Sequence, residues 1–534
     1  MRPPEAGHAL PDWPAGLFPP ELGTARGHLT DHLLRQIGPD GALRDPCGSR
    51  VLESALLLAL LDRTGTPSDF GAARSRLVRF LRHPRRHGSR WDEIFSATVL
   101  GKQTRSAPAH GAADDFIARA PQFTAPRKRL LFQAIFVMLG SEPSSSGCEL
   151  FPPRGLHPWA SMQVTATKVV LVDAAARAEL IGSEDIALLL STQRPGEVWE
   201  GNLLIHLLVL HALSRLPGNV ITVMDGIRTV LLHQRDDGGV PFVTDTDTWT
   251  AVTAGLALCN AGAPRGSLDR IAQHVLRLQH PSGGWSYTDH ARLADTDCTT
   301  VALEFLHVSN PHAYRTPVQR GIQALLSVRG GDGGFPTYAD TPSEACMTAA
   351  VINVLAAQGS RYQLIMDEGM TFLACSQRPD GSFPPGWSDS RLHTLFRAHL
   401  ATRLFTAGRA PVVRERIVRL VRSSQNDDGG WGKGDGTPSD AISTAYGLIV
   451  AAGLPDHLPA VRAVEYLLSQ QNSDGKIEAP PDMVGPRPLP YHVPLLSDAF
   501  SLLSLGHLTR RITPDKPAVP GQPHTSPDLE RHLT

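Results

Sequence analysis

A glycine-centred turn recurs through the second half of the chain and constrains the fold more than any other feature. Six such glycines are separated by 45, 50, 48, 48 and 46 residues; they are Gly238, Gly283, Gly333, Gly381, Gly429 and Gly475. A glutamine, or an arginine in one unit, stands four residues before each glycine, and an aromatic residue closes several turns. A period of this size is typical of a repeat protein.

Apolar windows of helical length lie between the turns, for example at residues 299–308, 347–357 and 443–452. Two helices per unit fit the period. With about six units, alternating inner and outer helices can close on themselves. We therefore expect an all-α fold, a double ring of helices (an α/α toroid) whose inner N-terminal ends converge on a central hollow. The alternative is an open solenoid that binds proteins, because the period alone fits both.

The repeats do not cover the whole chain. Residues 46–217 contain helical stretches without the glycine turn, whereas residues 36–41 resemble one degenerate turn. We therefore predict a repeat-bearing domain at residues 1–45 and 218–512 and a second helical domain inserted at 46–217. The proline-rich, polar tail at 513–534 is expected to be disordered.

Composition excludes several classes of protein. A net charge of -1 over 534 residues argues against a nucleic-acid groove. The six cysteines show no paired spacing, which argues against a disulfide framework or zinc cluster and fits a reducing cytosol. No run of 18 apolar residues and no signal peptide pattern is present. We expect a soluble, cytoplasmic protein.

An acid pair, Asp295 and Asp297, stands where one apolar repeat window begins. Two carboxyl groups this close can protonate an alkene, which is a very weak base. Such an acid must stay protonated at neutral pH and be stabilised as a carboxylate after donation. The structural alternative is an aspartate that caps a helix beside another acid.

Several segments of the chain resemble the class II terpene cyclases, which are related to squalene-hopene cyclases. Gln425 to Trp431 looks like the repeat turn of that family, and Asp295-Thr296-Asp297 looks like the start of its Asp-x-Asp-Asp acid motif. The resemblance continues through Glu149–Pro153, Trp159–Lys168 and Pro438–Tyr446.

The resemblance implies two double-ring domains, called β and γ, with the substrate cavity between them. It also implies that Asp297 donates the proton and that Asp295 polarises it. Cys298 replaces the last aspartate of the motif, so the proton-delivery network must differ. We expect burial and like charge to keep Asp297 protonated, and hydrogen bonds from Asp295 or Thr299 to stabilise its carboxylate.

A carbocation needs a dry cavity with aromatic faces. Candidates near the starts of repeat helices are Trp249, Tyr287, Tyr338 and Trp387; ordinary core packing is the alternative for each. A diphosphate needs cations, for which Arg391 and Lys433 are candidates, and Mg²⁺, for which Glu149, Glu197 and Glu200 are candidates. A plain surface role is the alternative for these five residues.

The substrate expected from these features is a soluble prenyl diphosphate. No Asp-Asp-x-x-Asp motif for diphosphate ionisation is present, so the diphosphate should remain in the product. We expect farnesyl diphosphate to be cyclised to drimenyl diphosphate. The alternative is geranylgeranyl diphosphate with a copalyl-type product.

Two other functions compete with the cyclase. A protein prenyltransferase β-subunit shares the ring of helices, but its zinc site resembles Asp-x-Cys with a distant histidine, whereas Asp297 and Cys298 are adjacent. A non-catalytic interaction solenoid is the third candidate, and it has no use for an acid pair.

Overall fold

The computed structural model describes residues 12–65, 68–83, 89–101, 114, 117–118, 124–141 and 155–513. Within these ranges the fold is mostly helical. The first nine helices are α1 (Leu22–Arg35), α2 (Val51–Arg63), α3 (Gly71–Arg82), α4 (Arg90–Val99), α5 (Ala125–Met138), α6 (Pro158–Ala174), α7 (Ser183–Leu190), α8 (Leu203–Leu213) and α9 (Val220–Leu231). The next eleven are α10 (Asp247–Ala261), α11 (Arg265–Arg277), α12 (Thr296–Ser309), α13 (Arg315–Ser327), α14 (Ala345–Ala356), α15 (Gln363–Ser376), α16 (Leu392–Thr402), α17 (Ala410–Ser423), α18 (Ala441–Ala451), α19 (Leu458–Gln470) and α20 (Leu495–Thr509).

Three pairs of two-residue strands accompany the helices. They are β1 (Trp13–Pro14) parallel to β6 (Ile512–Thr513), β2 (Ser49–Arg50) antiparallel to β3 (Val240–Pro241), and β4 (Met483–Val484) antiparallel to β5 (Pro490–Tyr491). Short 3₁₀ turns lie at Ala15–Leu17, Ser68–Phe70, Ala178–Leu180, Trp199–Gly201 and Ser360–Tyr362. Among these strands, the β4–β5 hairpin bears directly on function because it lines the cavity described below.

Six inner helices form a closed ring. In order around the ring, each of α10, α12, α14, α16, α18 and α20 packs against the next, and α20 packs back on α10. The outer helices are α11, α13, α15, α17 and α19. Helix α1 takes the sixth outer position, where it packs on α19 and α20. The predicted all-α double ring is therefore confirmed, and the open solenoid is wrong.

The repeat turn joins each unit to the next. The side-chain amide of Gln425 donates to the carbonyls of Gly429 (2.8 Å) and Pro459 (2.9 Å), the latter in the next outer helix. Gly429 has a φ of +87°, and a Cβ there would lie 2.5 Å from a backbone oxygen of that helix, so glycine is required. Gln471 makes the same bond to Ala25 of α1 at 3.0 Å, which fastens the last turn to the first helix.

Helices α2 to α9 form a second group. Helix α6 packs against α5, α7 and α8, while α2 packs against α3, α4 and α8. Helix α9 also packs on α8, although the boundary predicted from the sequence placed it in the repeat domain. The domain limits at 46–217 and 218–512 stay predictions. Residues 514–534 and Glu149–Pro153 lie outside the described residues. Across the described ranges, no helix combines the length and apolarity that crossing a membrane requires.

Candidate active site

A cavity lies between the two helical groups. The ring contributes residues from the first turns of its inner helices, including Trp249 of α10 and Asp297 of α12. The second group contributes Lys128 of α5 and Trp159 of α6, and the β4–β5 hairpin contributes Tyr491. The N-terminal ends of inner helices therefore face this cavity between the two groups, whereas the sequence analysis placed their convergence on the hollow of the ring itself.

Asp295 caps helix α12 and faces the cavity. Its Oδ1 accepts the backbone N–H of Cys298 at 2.7 Å, which satisfies a free donor of the first helical turn. Burial raises the pKa of Asp295 to about 7, and the nearby charge of Asp297 adds to the shift, while the Cys298 N–H offsets part of it. The carboxyl group is thus both a helix cap and a proton-holding acid near neutral pH.

Asp297 is paired with a buried arginine from across the ring. Nη1 of Arg397, in α16, lies 2.5 Å from Oδ1 of Asp297, and both side chains are buried. Burial disfavours the charge of Arg397, but the charge of Asp297 outweighs it and raises the pKa of the guanidinium. Oδ2 of Asp297 accepts no hydrogen bond from any described residue. The pair therefore suits an acid whose conjugate base is strongly stabilised.

The hydroxyl of Thr299 does not contact the Asp297 carboxyl group, contrary to the expectation. It donates to the backbone carbonyl of Asp295 at 2.6 Å and accepts the backbone N–H of Trp285 at 3.0 Å. Thr299 therefore joins the repeat turn to the acid helix, and Arg397 provides the stabilisation assigned to it. Cys298 lines the cavity, is buried, and has a pKa raised by burial, so its thiol is protonated.

All four predicted aromatic residues line the cavity: Trp249, Tyr287, Tyr338 and Trp387. The ring centroids of Tyr338 and Trp387 are 6.0 Å apart. Three further aromatic residues were not predicted as cavity residues: Trp159, Phe242 and Tyr491. Trp387 has a second role, because the guanidinium of Arg487 lies 4.2 Å from its ring centroid. One face of Trp387 is therefore already used by a cation.

Three cations line the cavity wall: Arg127, Lys128 and Arg487. Arg487 forms an ion pair with Glu344, and the ammonium of Lys128 donates to the backbone carbonyl of Arg487. Neither Arg127 nor Lys128 pairs with a carboxylate in the part of the chain that the structure describes. Burial, together with the charges of Arg487, Arg127 and Arg50, holds the pKa of Lys128 well below its usual range. Arg127 and Lys128 are thus the basic side chains of the wall that an anionic ligand could contact without first breaking an ion pair among the described residues.

The predicted diphosphate ligands Arg391 and Lys433 do not line this cavity. Arg391 donates to Asp435 at 2.8 Å, and Lys433 donates to Asp389 at 2.8 Å and to a backbone carbonyl. Each cation is satisfied by an aspartate of a nearby turn. The structure therefore places both residues outside the cavity, and their diphosphate-binding role stays a prediction.

The predicted magnesium ligands are not brought together. Glu149 lies outside the described residues, and the exposed Glu197 lies 3.6 Å from Arg194. Oε2 of Glu200 accepts the indole N–H of Trp159 at 3.1 Å and the backbone N–H of Arg292 at 2.7 Å. No group of three acidic, histidine or cysteine side chains suits a metal ion within the described ranges. Glu197 and Glu200 therefore do not fit a protein-held Mg²⁺.

Glu200 instead connects the second group of helices to the acid motif. It has a φ of 55°, which is unusual for a residue other than glycine. Its carbonyl accepts the hydroxyl of Tyr287 at 2.7 Å, while its carboxylate holds Trp159 and the loop that leads to Asp295. Backbone strain of this kind persists only where the surroundings enforce it. Glu200 therefore positions two cavity aromatics and the acid loop.

Comparison with known proteins agrees with this geometry. Residues 276–505 match the squalene-hopene cyclase C-terminal domain. A drimenyl diphosphate synthase of Streptantibioticus cattleyicolor is 36% identical over 504 residues, which cover 90% of this chain and 94% of that protein. A second protein of that name, from Streptomyces showdoensis, is 36% identical over 92% of this chain and 95% of its own length. This chain belongs to the class II terpene cyclases.

A solved class II cyclase structure shares the fold of this one. The ent-copalyl diphosphate synthase of Streptomyces platensis aligns with a TM-score of 0.57 at 15% identity, covering 91% of this chain and 99% of that one. The protein is thus an enzyme that starts cyclisation by protonation. Arg397, the partner of Asp297, was missed by the sequence analysis although it had a usable signal: it is the lone arginine of α16.

Proposed function

We propose that this class II terpene cyclase converts farnesyl diphosphate to drimenyl diphosphate and keeps the diphosphate in the product. The observation that carries the proposal is the 36% identity, over nearly their full length, to two proteins named drimenyl diphosphate synthase. Proteins named copalyl diphosphate synthase are more distant, with 31% identity over 21% of this chain in one case. This difference favours the fifteen-carbon substrate.

The proposed reaction begins at Asp297. Its carboxylic acid protonates the terminal alkene, which leaves a carboxylate that Arg397 stabilises at 2.5 Å. Two ring closures follow, and the cation faces Trp249, Tyr287 and Tyr338, whose ring faces favour positive charge. Loss of a proton from the bicyclic cation ends the reaction. Asp295 caps helix α12 and so holds Asp297 in place.

Basic residues of the cavity wall support a binding position for the diphosphate end of the substrate. Arg127 and Lys128 have no described carboxylate partner and lie in the same cavity as the acid pair. An anion bound beside them would neutralise buried positive charge and return the lowered pKa of Lys128 towards its usual range. We therefore propose these two residues, with Arg487, as the diphosphate contacts.

Magnesium and the cytoplasmic location remain part of the proposal. The described carboxylates do not fit a protein-held ion, so we propose that Mg²⁺ accompanies the diphosphate oxygens of the substrate. Chelation by EDTA should then lower activity, and added Mg²⁺ should restore it. The free thiols of the described cysteines agree with a reducing cytoplasm.

A product assay tests the proposed function. The enzyme is incubated separately with farnesyl and geranylgeranyl diphosphate, and the products are treated with phosphatase and separated by gas chromatography. Drimenol from the first substrate is the expected result. A bicyclic product from geranylgeranyl diphosphate alone would assign the longer substrate, and release of pyrophosphate with turnover would contradict retention of the diphosphate.

A further inference from the structure

Glu344 departs from the pattern of its repeat. In two other units a capping aspartate precedes the inner helix, Asp295 for α12 and Asp440 for α18. Each aspartate donates its backbone N–H to the carbonyl of the turn tryptophan, at 2.9 and 3.0 Å, and accepts a backbone N–H of the first helical turn on Oδ1, at 2.7 and 2.8 Å. Glu344 stands at the same position before α14, where its N–H donates to the carbonyl of Phe335 at 2.9 Å, but its side chain caps no helical N–H. The carboxylate lines the substrate cavity instead.

The Glu344 carboxylate holds two partners in the cavity wall. The hydroxyl of Thr337 donates to its Oε1 at 2.7 Å. Both Nη atoms of Arg487, in the β4–β5 hairpin, donate to the same carboxylate, Nη2 at 3.4 Å. Only 6% of the Arg487 side chain and 11% of the Glu344 side chain are exposed, so salt screens this ion pair weakly. One carboxylate thus joins the segment before α14 to the hairpin.

Both partners act on the ring of Trp387. The indole N–H donates to Oγ1 of Thr337 at 2.7 Å, and the guanidinium of Arg487 lies 4.2 Å from the ring centroid. A threonine hydroxyl has one proton, and that of Thr337 goes to Glu344, so its oxygen is left to accept the indole N–H. Glu344 therefore fixes one edge of the indole through Thr337 and one face through Arg487.

Thr337 also holds the helix that carries the acid. Its backbone carbonyl accepts the N–H of Thr296, the first residue of α12, at 2.9 Å. Thr296 lies between Asp295 and Asp297. Because the backbone of Thr337 contacts the acid helix and its side chain contacts Trp387, this wall residue and the acid motif keep a fixed relative position.

We propose that Glu344 is a positioning residue that sets how the substrate chain is folded for cyclisation. A prenyl chain reacts only while its carbons are held close together, and this requires a wall that does not rotate. Trp387 is the part of the wall whose orientation Glu344 fixes. The negative charge of Glu344 also balances Arg487, whose unpaired charge in the same cavity would oppose a carbocation. The inference rests on the proposed cyclisation of a prenyl diphosphate and adds no bond or proton transfer to it.

Substitutions of Thr337 test the orientation of Trp387 without changing a charge. Thr337→Val keeps the side-chain shape and the backbone contact with Thr296 but loses the hydroxyl. The share of altered or prematurely deprotonated products, measured by gas chromatography after phosphatase treatment, should rise about fivefold or more, while KM changes less than about threefold. Thr337→Ser restores the hydroxyl and should restore the native product profile.

Substitution of Glu344 tests the balance of charge. Glu344→Gln keeps an acceptor oxygen for Thr337 but no longer neutralises Arg487. Its kcat should fall about tenfold or more, because an uncompensated positive charge then opposes the carbocation. Its KM should not rise, since Arg487 keeps its charge and loses its competing carboxylate. A lower kcat with an unchanged or lower KM is a result that reduced stability alone does not give.

Two controls separate positioning from a general effect on the cavity. Thr341→Val makes the same chemical change at another cavity threonine, whose hydroxyl donates to the backbone carbonyl of Tyr338 at 2.7 Å, and it should keep the native product profile. Trp387→Phe keeps an aromatic ring but lacks the indole N–H. Adding Thr337→Val to Trp387→Phe should therefore shift the profile no further, because the two changes break one contact.

The inference is overturned by a native product profile in Thr337→Val, by an equal change in Thr341→Val, or by additive effects of Thr337→Val and Trp387→Phe. A native kcat in a folded Glu344→Gln variant would also overturn it. If Glu344→Gln does not fold, the threonine variants decide. Each profile is compared with that of the native enzyme on the prenyl diphosphate it cyclises. Failure of the proposed function would therefore appear as a different native product, and the comparison among variants would still hold.

Discussion

The guanidinium of Arg397 lies 2.5 Å from Oδ1 of Asp297, although the two residues are 100 positions apart in sequence. The contact joins α12 to α16 across the ring and is buried. It gives the acid a conjugate base that is already solvated by protein before the reaction begins. Preorganised charge of this kind is usually the largest single contribution to catalysis.

Replacement of Arg397 tests this contact. Arg397→Gln should lower kcat by about 10²- to 10³-fold, the range found when one preorganised donor is removed from a reacting oxygen. Arg397→Lys keeps the charge but not the geometry and should retain more activity. Thermal unfolding serves as the control, because a lost buried charge also affects stability. A kcat for Arg397→Gln within about threefold of native would remove Arg397 from the mechanism.

The diphosphate assignment is tested by a matched pair of substitutions. Arg127→Gln should raise KM for farnesyl diphosphate by about tenfold or more, since a charge-assisted hydrogen bond contributes roughly 1.5–3 kcal/mol. Arg391→Gln makes the same chemical change outside the cavity and should leave KM unchanged. Steady-state kinetics at fixed ionic strength provide the measurement. The assignment fails if the two variants behave alike.

Glu200 is expected to affect the course of cyclisation as well as stability. Glu200→Ala removes the acceptor for Trp159 and for the loop before Asp295. The aromatic wall should then loosen, and kcat/KM should fall about tenfold, with new or prematurely deprotonated products visible by gas chromatography. Glu200→Gln keeps an acceptor oxygen and should recover the native product. Glu197→Ala, at an exposed neighbouring site, is the control. An unchanged product from Glu200→Ala would mean that Glu200 contributes to stability and not to the course of cyclisation.

Substitution of Cys298 tests how far the acid motif depends on the residue that replaces its last aspartate. Cys298→Ala should retain substantial activity, because the protonated thiol fills space and carries no obligatory proton. Cys298→Asp adds a negative charge beside Asp295, whose pKa is already raised to about 7. A further negative charge favours the protonated acid, so the high-pH limb of the pH–rate profile should move to higher pH. Loss of activity in a folded Cys298→Ala variant would give the thiol a direct role.

The sequence predicted the ring because the repeat is local. The period, the glutamine and the turn glycine each act within one unit. The closure of the ring through Gln471 and Ala25 follows from the number of units. The acid pair could be found for the same reason, since Asp295 and Asp297 are neighbours on one helix end. The aromatic residues at helix starts were also placed correctly, because inner N-terminal ends share one hollow.

The charged partners could not be predicted in this way. Arg397 reaches Asp297 from α16, and Arg127 and Lys128 reach the cavity from α5, far from the acid pair in sequence. Their roles depend on which carboxylates remain unpaired after folding. Arg391 and Lys433 follow repeat turns, but turn aspartates lie closer to them than the cavity does. A lone charged residue in a mostly uncharged helix, as at Arg397, is the sequence signal that indicates such residues.

The most direct test of the account is a single-turnover assay of Asp297→Asn and Asp295→Asn with farnesyl diphosphate and enzyme in excess. An amide keeps the shape of the acid but cannot donate the proton. Asp297→Asn should therefore form no drimenyl diphosphate above background while still binding substrate and melting near the native temperature. Asp295→Asn should form product more slowly than the native enzyme. Near-native product formation by Asp297→Asn would contradict the account, and an inactive Asp295→Asn beside it would transfer the donor role to Asp295.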